Sequence, residues 1–253
     1  MPSFEYKRLN ILDNIELFSS ENENDYFPFH YHDFFCISLI TCGSEILNNQ
    51  QQEFIATSGM ISVTQFNEVH RNYSFAEPGY SYKTLYLSKP LLKYYNNGNE
   101  VAALERIIDD PGLFNNLLKL FYTEHSSALS WDCSLRSLVT HATNPDQKNL
   151  WRNKFDRIDE MIESHPNTPV DTEWLAQKFR MSKFHFIREF KKAKGVTPQT
   201  YIMIYRLAKT KQMLLDRVPL TDIAFLNGFY DQSHFIHSFK KYFGVTPGSY
   251  LSN

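Results

Sequence analysis

The sequence predicts an α+β chain of two domains, in which a barrel of short strands with two amphipathic helices precedes an all-helical domain. Short runs rich in β-branched and aromatic residues fill residues 1–87, and helical periodicity begins near residue 90. The net charge also changes sign along the chain. Residues 1–150 hold 10 Lys+Arg against 18 Asp+Glu, a net of −8, whereas residues 151–253 hold 16 against 10, a net of +6. This asymmetry predicts that only the C-terminal half approaches a polyanion.

The predicted strands come first. Three clear ones are Phe34–Thr41, Met60–Thr64 and Ser81–Leu87, and Gly and Pro-Gly turn signals separate them at Gly43, Gly59 and Pro78-Gly79. Regularly spaced short strands with such turns favour a β-sandwich or a barrel, and we place the barrel at about 1–87.

Two amphipathic helices follow at about 90–140. One apolar stripe runs through Leu113, Leu117 and Leu120, and a second runs through Leu135 and Leu138. The stripes suit packing within the chain and dimerisation equally well, so both interpretations stay open. The N-terminal domain is expected at 1–140, followed by a polar linker at 141–153.

The all-helical domain, 154–253, contains an internal repeat. The segments HFIREFKKAKGVTPQTY at 185–201 and HFIHSFKKYFGVTPGSY at 234–250 agree at 11 of 17 positions, with an offset of 49. An internal repeat indicates one structural unit that is used twice. Each copy carries adjacent lysines, so the unit is expected to meet the polyanion twice.

Each copy is predicted to end a pair of short helices, at about 171–193 and 220–243. Ser182 and Asp231 are good N-cap residues for the second helix of each pair, and Gly195 suits the end of the first of these. We expect Phe186, Phe190 and Ala193 to point inward. Thr197 and Pro198 start a long helix between the pairs, which at 18 residues spans roughly 27 Å.

Two helices joined by a tight turn form a helix-turn-helix unit, whose second helix fits the major groove of double-stranded DNA. The alternative is a helical hairpin that only packs or binds protein. Two copies with matching lysine pairs, Lys191-Lys192 and Lys240-Lys241, favour DNA.

These residues resemble the AraC/XylS family of bacterial transcription regulators. The resemblance rests on S-K-F-H-F-I-R-E-F-K-K at 182–192, G-V-T-P-Q-T-Y at 195–201, R-L-A at 206–208, I-A at 223–224 and G-F-Y-D-Q-S-H-F-I-H-S-F-K-K-Y-F-G-V-T-P at 228–247. It implies DNA base contacts from Phe184, Ile187, Arg188, Gln232, Ser233, Ile236 and His237. It implies phosphate contacts from Lys183, Lys191, Lys192, Lys240 and Lys241.

The two outward helix faces differ in what they offer to bases. Position 237 is commonly Arg in the family, whereas this chain has His237, which offers one donor at a time where Arg grips guanine with two. We therefore expect the second unit to specify bases less strongly. Ile187 and Ile236 either contact thymine methyl groups or pack at the edge of the core.

The N-terminal half resembles the family's cupin-like effector domain at F-H-Y-H (29–32), Gly43, Gly59 and N-E-V-H (67–70). The expected effector pocket includes His30, His32, Phe34 and His70. The three histidines also suggest a cupin-type metal site, but cupin enzymes place a Glu shortly after the second His, and here only Asp33 is acidic. We predict no metal, no cofactor and no catalytic residue.

Taken together, these patterns predict a DNA-binding transcription regulator that a small molecule in the barrel modulates. The alternatives are a cupin-type metalloenzyme with a DNA-binding domain and a regulator without a ligand. Expected partners are double-stranded DNA, a small-molecule effector and a second copy of the chain, with RNA polymerase added if the protein activates transcription. No secretory signal or membrane-length apolar stretch stands out, so we expect a cytoplasmic protein. The three cysteines lack C-x-x-C spacing and predict free thiols.

Overall fold

The structure is a computed structural model that describes residues 3–9, 15–24, 28–122, 128–142, 155, 157–164 and 170–251. Contacts divide the chain into two compact units. Of the described residues, 3–24 and 31–142 belong to the first unit, and 28–30 and 155–251 belong to the second, with the gaps given above. The predicted linker, 141–153, lies outside the described residues except for its first two positions. The predicted domain limits therefore stay predictions.

The N-terminal unit contains two antiparallel sheets. Its strands are β1 (Ser3–Arg8), β2 (Glu16–Glu23), β3 (Phe35–Cys42), β4 (Ser44–Asn48), β5 (Glu53–Thr57), β6 (Ile61–Thr64), β7 (Arg71–Ser74), β8 (Tyr80–Leu87) and β9 (Ile107–Ile108). The larger sheet has the order β1-β2-β8-β3-β6-β9, and the smaller has the order β5-β4-β7. The two-domain α+β class is confirmed.

The predicted closed barrel is corrected to two open sheets among the described strands. The smaller sheet pairs β4 with β5 and β7, and no strand of it pairs with the larger sheet. Alternation along a strand indicates which side chains are buried, and it carries no information on whether the edges of a sheet meet. The sequence therefore predicted short strands correctly and their closure wrongly.

Among the described residues of this unit, three helices accompany the sheets where the sequence predicted two. They are α1 (Lys89–Tyr95), α2 (Pro111–Tyr122) and α3 (Ala128–Val139). The additional helix, α1, has only seven residues, too few to show a period, and begins after Ser88, whose hydroxyl accepts a hydrogen bond from the Leu91 N–H at 3.2 Å. The predicted apolar stripes of α2 and α3 pack within the unit, in one core with β-strand residues such as Ile37 and Leu85.

The C-terminal unit is helical throughout its described regular structure. Its helices are α4 (Ile158–Glu163), α5 (Thr172–Lys178), α6 (Lys183–Lys194), α7 (Pro198–Leu215), α8 (Leu220–Leu226), α9 (Gln232–Phe243) and α10 (Pro247–Leu251). The pairs α5–α6 and α8–α9 are the two helix-turn-helix units, and α7 joins them. This arrangement confirms the predicted all-helical architecture.

Two smaller findings complete the fold. Cys36, Cys42 and Cys133 are not joined in disulfides within the described part of the chain, and Cys36 is buried whereas the other two are exposed. No helix in the described ranges has both the length and the apolar content needed to cross a membrane.

Candidate nucleic-acid interface and effector site

Each helix-turn-helix unit positions its second helix with the same local devices. The Ser182 hydroxyl and the Asp231 carboxylate cap α6 and α9, each accepting a hydrogen bond from the backbone N–H three residues later. These bonds satisfy donors that a helix start leaves open. Both helices end at a glycine with left-handed φ, namely Gly195 and Gly244, both at 76°. The predicted caps are confirmed.

The inner face of α6 is anchored by aromatic packing. Phe186 and Phe190 are fully buried, and both rings contact Phe155, at centroid distances of 5.6 and 5.1 Å. Phe179, at the end of α5, closes the cluster. The expectation that Ala193 also points inward is wrong, because this residue lies exposed in the last turn of α6, beyond the buried phenylalanines.

The second unit repeats this packing. Phe235 and Phe239 are fully buried, in edge-to-face contact at 5.7 Å, with Phe229 and Tyr250 packed against them. Because the inner faces are fixed in this way, the opposite faces of α6 and α9 point outward as rigid surfaces.

The outward face of α6 presents an exposed ring and an exposed guanidinium. Phe184 is 84% exposed, and the Arg188 side chain is 75% exposed, with its Nε 3.8 Å from a Glu189 carboxylate oxygen. Ile187 between them is half-buried. An exposed ion pair of this length contributes little to folding, so Arg188 is available to a ligand.

The outward face of α9 is more polar. Ser233 and His237 are exposed, and Gln232 and Ile236 are half-buried. The residues predicted to contact bases therefore form two separate outward faces, one on each unit. The two differ as predicted in content: an arginine with an aromatic ring on α6, and a hydroxyl with an imidazole on α9.

The lysines predicted to contact phosphates are all exposed. Lys183 makes an exposed ion pair with Glu173 at 3.4 Å, and the Lys241 Nζ lies 5.5 Å from the centre of the Tyr242 ring. The other three, Lys191, Lys192 and Lys240, are exposed in the last turns of α6 and α9. Exposed lysines beside an outward helix face are placed to neutralise a phosphate backbone.

Sequence reasoning did not find a cleft that lies between the two helix-turn-helix units, within the C-terminal unit. It measures about 600 Å³ and is lined by both helix pairs and by α7. Arg206 on α7 contributes to its wall and donates a hydrogen bond to the Val170 carbonyl at 3.0 Å. Burial lowers the pKa of the Arg206 guanidinium. Arg206 is half-buried on α7, a helix that the sequence predicted only to join the two helix-turn-helix units. The sequence signal was R-L-A at 206–208, which carried the family resemblance but received no role.

Three exposed apolar residues on the second unit were also missed. Phe225, Leu226 and Tyr230 are 83%, 66% and 92% exposed. The sequence signal for the first two was the apolar run I-A-F-L at 223–226, in which Ile223 and Ala224 are buried and the next two residues are exposed. A cluster of this kind marks a surface that meets another molecule.

In the N-terminal unit the structure brings most of the expected pocket residues together. The rings of His32 and His70 lie 5.3 Å apart, and the Tyr86 ring lies 5.6 Å from His32 and 6.4 Å from Phe34. Burial lowers the pKa of His70 to about 4, with a smaller contribution from the Arg106 charge. His70 is therefore neutral near pH 7.

His30 is assigned to the other unit in the division of the chain. It is buried, its Nδ1 lies 2.8 Å from the Pro28 carbonyl oxygen, and residues 28–30 group with the C-terminal unit. The absence of a metal at His30, His32 and His70 stays a prediction.

The geometry of the C-terminal unit is that of a DNA-binding transcription regulator. Two comparisons with protein families agree: residues 175–253 match the model described as a helix-turn-helix domain, and residues 14–130 match that of the AraC-like ligand binding domain. The matches cover most of the chain and both units. The chain belongs to the AraC/XylS family of transcription regulators, and its N-terminal unit is the ligand-binding domain of that family.

Individual relatives agree with this assignment. The chain is 26% identical to an uncharacterized HTH-type transcriptional regulator, YbfI, of Bacillus subtilis, covering 87% of this chain and 85% of the relative. It is 24% identical to the HTH-type transcriptional activator RhaS of Escherichia coli, covering 82% and 81%. The relatives that it matches are thus transcription regulators.

Solved structures share the fold. ToxT of Vibrio cholerae aligns with a TM-score of 0.57 at 14% identity, covering 99% of this chain and 98% of that one. Unsaturated fatty acid-bound ToxT aligns with a TM-score of 0.53 at 14% identity, covering 94% of both chains. At this identity the likeness concerns the fold alone.

Proposed function

We propose that the outward faces of α6 and α9 read bases in two successive major-groove segments of double-stranded DNA. One observation carries the proposal. The chain builds the same capped helix twice, buries a phenylalanine pair on one side of each copy, and leaves the opposite side exposed. A rigid helix with an exposed polar and basic face is what the major groove admits.

Affinity and specificity come from different residues in this proposal. The lysines flanking each face contact phosphates and supply most of the binding free energy, which depends on salt and hardly on sequence. Arg188 supplies the strongest base contact, because a guanidinium can bond both acceptors of guanine. His237 makes the second unit the more permissive reader.

The N-terminal unit controls this binding through a small molecule. A ligand shifts an equilibrium between states only by as much as it binds one state better. We expect such a ligand between the strands of the N-terminal unit, on the face of β8 whose Tyr86 contacts His32 and Phe34. We propose that the protein is a regulator and not an enzyme, and that it acts in the cytoplasm, where the DNA is.

Two protein partners complete the proposal. Exposed apolar residues on the helices of the N-terminal unit, Tyr94, Tyr122 and Leu129, support contact with a second copy of the chain. The exposed residues Phe225 and Leu226 on α8 support contact with RNA polymerase if transcription rises. Sedimentation of the purified chain, with and without DNA, tests the dimer.

Selection of bound sites from random double-stranded DNA tests the main proposal. Full-length protein is used with and without cell extract, and the wild type is compared with a variant that carries Arg188→Ala and His237→Ala. We expect the wild type to enrich two short motifs about one helical turn apart, roughly 34 Å. We expect the double variant to bind with relaxed selection at one base position of each motif. Failure of the wild type to enrich any sequence would refute the proposal.

A further inference from the structure

The larger sheet has two buried faces of opposite chemistry. Residues that lie opposite each other in the register share a face, and one face is aliphatic, for example Leu17, Ile37 and Leu85. The other face is also buried but carries hydroxyl groups, namely those of Ser20, Ser38, Ser62, Thr64 and Thr84. A core needs apolar side chains, so a buried polar face calls for another explanation.

The polar face looks towards the smaller sheet, where it meets a buried carboxylate. Glu45 on β4 is 1% exposed and accepts hydrogen bonds from the Ser62 hydroxyl and from the Asn72 amide. Both partners are neutral. Burial raises the pKa of Glu45, and the hydrogen bonds offset this only in part. A buried carboxylate with neutral partners is costly for folding, and such a cost is typical of functional sites.

A second carboxylate reaches the same interior through a bulge. The register of β2 against β8 shifts between Ser20, opposite Tyr82, and Glu23, opposite Tyr80. Asn22 within the bulge has a left-handed φ of 54°. The shift places Glu23 on the inner face, where it is fully buried and accepts a hydrogen bond from Ser20 at 3.0 Å. Bulges commonly re-aim a side chain in this way.

Glycines hold the bulge in place. A Cβ on Gly79 would lie 2.6 Å from the Glu23 carbonyl oxygen, and a Cβ on Gly43 would lie 2.4 Å from the Gly79 carbonyl oxygen. Both glycines have positive φ, at 115° and 73°. Three strands therefore approach one another here more closely than any other residue type permits.

Two stacked tyrosines lie near both carboxylates. The rings of Tyr80 and Tyr82 are 5.1 Å apart at an interplanar angle of 18°. Burial raises the pKa of both phenols, and the charges of Glu23 and Glu45 raise each of them further, which places both carboxylates within electrostatic reach of the pair. The Tyr80 hydroxyl is buried beside the Glu45 carboxylate, outside good hydrogen-bonding geometry with it and with every other group in the described part of the chain.

This interior offers two carboxylates, aromatic faces and a buried hydroxyl whose hydrogen-bonding capacity is poorly used. We propose that the ligand of the N-terminal unit is a small organic cation, with an ammonium or guanidinium group held between Glu23 and Glu45 against the Tyr80–Tyr82 pair. Carboxylates supply the charge, and tyrosine faces attract cations through the ring quadrupole. A fatty acid carboxylate would instead meet acidic groups here, whose ionised forms repel it.

The cation and the proton on Glu45 compete in this site. Since burial favours protonated Glu45 in the empty protein, binding a cation favours its ionised form and releases a proton. Affinity is therefore expected to rise with pH through the raised pKa of Glu45. A neutral polyol has no such linkage, so this pH dependence separates the two classes of ligand.

The test measures the melting temperature of the full chain with six probes. The cations are 1,4-diaminobutane, agmatine and choline, and the comparison compounds are 1,4-butanediol, erythritol and oleate. We expect at least one cation to raise the melting temperature by about 5 °C at a hundredfold excess over its Kd, and more at pH 8 than at pH 6. Glu45→Gln and Glu23→Gln should each weaken that cation at least about tenfold. Glu53→Gln, which changes an exposed carboxylate on the outer side of β5, should leave it unchanged.

The inference rests on the proposed ligand control, and the same preparations separate the two. Binding to the selected DNA site is measured in parallel by fluorescence anisotropy. The cation assignment is overturned if no cation shifts the melting temperature, or if Glu45→Gln leaves that shift intact. If DNA binding is intact in the same preparations, the regulator proposal stands. A shift with butanediol, erythritol or oleate alone also overturns the cation assignment. Loss of DNA binding in the wild type would instead count against the proposed function itself.

Discussion

The guanidinium of Arg206 packs directly over Gly228, where a Cβ would come within 3.0 Å of Nη1 and 3.3 Å of Cζ. The same guanidinium donates a hydrogen bond to the carbonyl of Val170, just before the first helix-turn-helix unit. One side chain of the joining helix α7 therefore contacts both units. Helix α7 therefore both separates the two helix-turn-helix units and holds them together through Arg206. We expect these Arg206 contacts to fix the angle between the two outward faces.

Gly228→Ala tests these Arg206 contacts. The substitution adds a methyl group against Arg206 and forces alanine into a left-handed φ of 72°, so we expect the free energy of unfolding to fall by about 1–3 kcal/mol. Urea unfolding followed by circular dichroism measures the loss. Gly248→Ala is the matched control, because its Cβ would meet only Thr246 Oγ1 at 3.9 Å. Equal stability of the two variants would show that Arg206 does not restrain the second unit.

Arg188→Ala tests base recognition by the first unit. The side chain is exposed and its contact with Glu189 is long, so folding should be unaffected. On the preferred DNA site we expect a loss of about 1–3 kcal/mol and relaxed selection at one base position. Competition binding with single-base variants of the site measures both effects. Equal losses on every sequence would contradict base recognition.

Lys241→Ala should behave in the opposite way. A phosphate contact carries no sequence information, so this variant should weaken binding to all DNA sequences alike. The slope of log affinity against log salt should fall in magnitude by about one. Titrations at several salt concentrations, on the preferred site and on a scrambled site, provide the measurement. A change in sequence preference would assign Lys241 to base contact instead.

His237→Arg should sharpen the second unit. The imidazole is exposed on the outward face of α9, so the longer guanidinium can be accommodated without disturbing the buried pair Phe235 and Phe239. We expect discrimination at one base pair of the second half-site to rise by about 1–3 kcal/mol, because arginine bonds both acceptors of guanine. Site selection with the variant should enrich a guanine that the wild type does not select. Ser233→Ala on the same face provides the comparison.

The parts of the fold that sequence predicted are those fixed by neighbours along the chain. Ser182, Asp231 and Gly195 act within one helical turn of themselves, so their roles follow from local rules. Because the sequence repeats with an offset of 49 residues, the second helix-turn-helix unit could be predicted as well as the first. The base and phosphate contacts remain predictions, since exposure alone assigns no DNA partner.

The parts that sequence missed depend on contacts between distant segments. Arg206 meets Val170 across 36 positions, and Glu45 meets Ser62 across 17, so neither relationship leaves a local pattern. Glu23 is a particular case, since simple alternation along β2 would turn it outward. Only the bulge, with Gly79 packed against it, brings its carboxylate inside.

Glu45→Gln is expected to stabilise the protein at alkaline pH while removing the proposed cation site. Burial raises the pKa of Glu45 above its ordinary value of 4.5, which is the value expected in the unfolded chain. Between these two pKa values the folded state holds a proton that the unfolded state has lost, so stability is full below pH 4.5 and falls as pH rises through the raised pKa. At pH 8 the wild type has lost more of this stability than at pH 5, whereas glutamine has no proton to lose.

Urea unfolding at pH 5 and pH 8 measures this difference. The variant should exceed the wild type in free energy of unfolding at pH 8, and the gain should shrink towards pH 5. Glu53→Gln is a control of opposite sign, because hydrogen bonds from Tyr73 and Asn48 lower the pKa of this exposed carboxyl, so losing its charge should not stabilise the protein at pH 8. A Glu45→Gln variant that is less stable than the wild type at pH 8 would identify Glu45 as a structural residue. A variant that gains stability but loses cation binding would show that this carboxylate is kept for its ligand at the expense of stability.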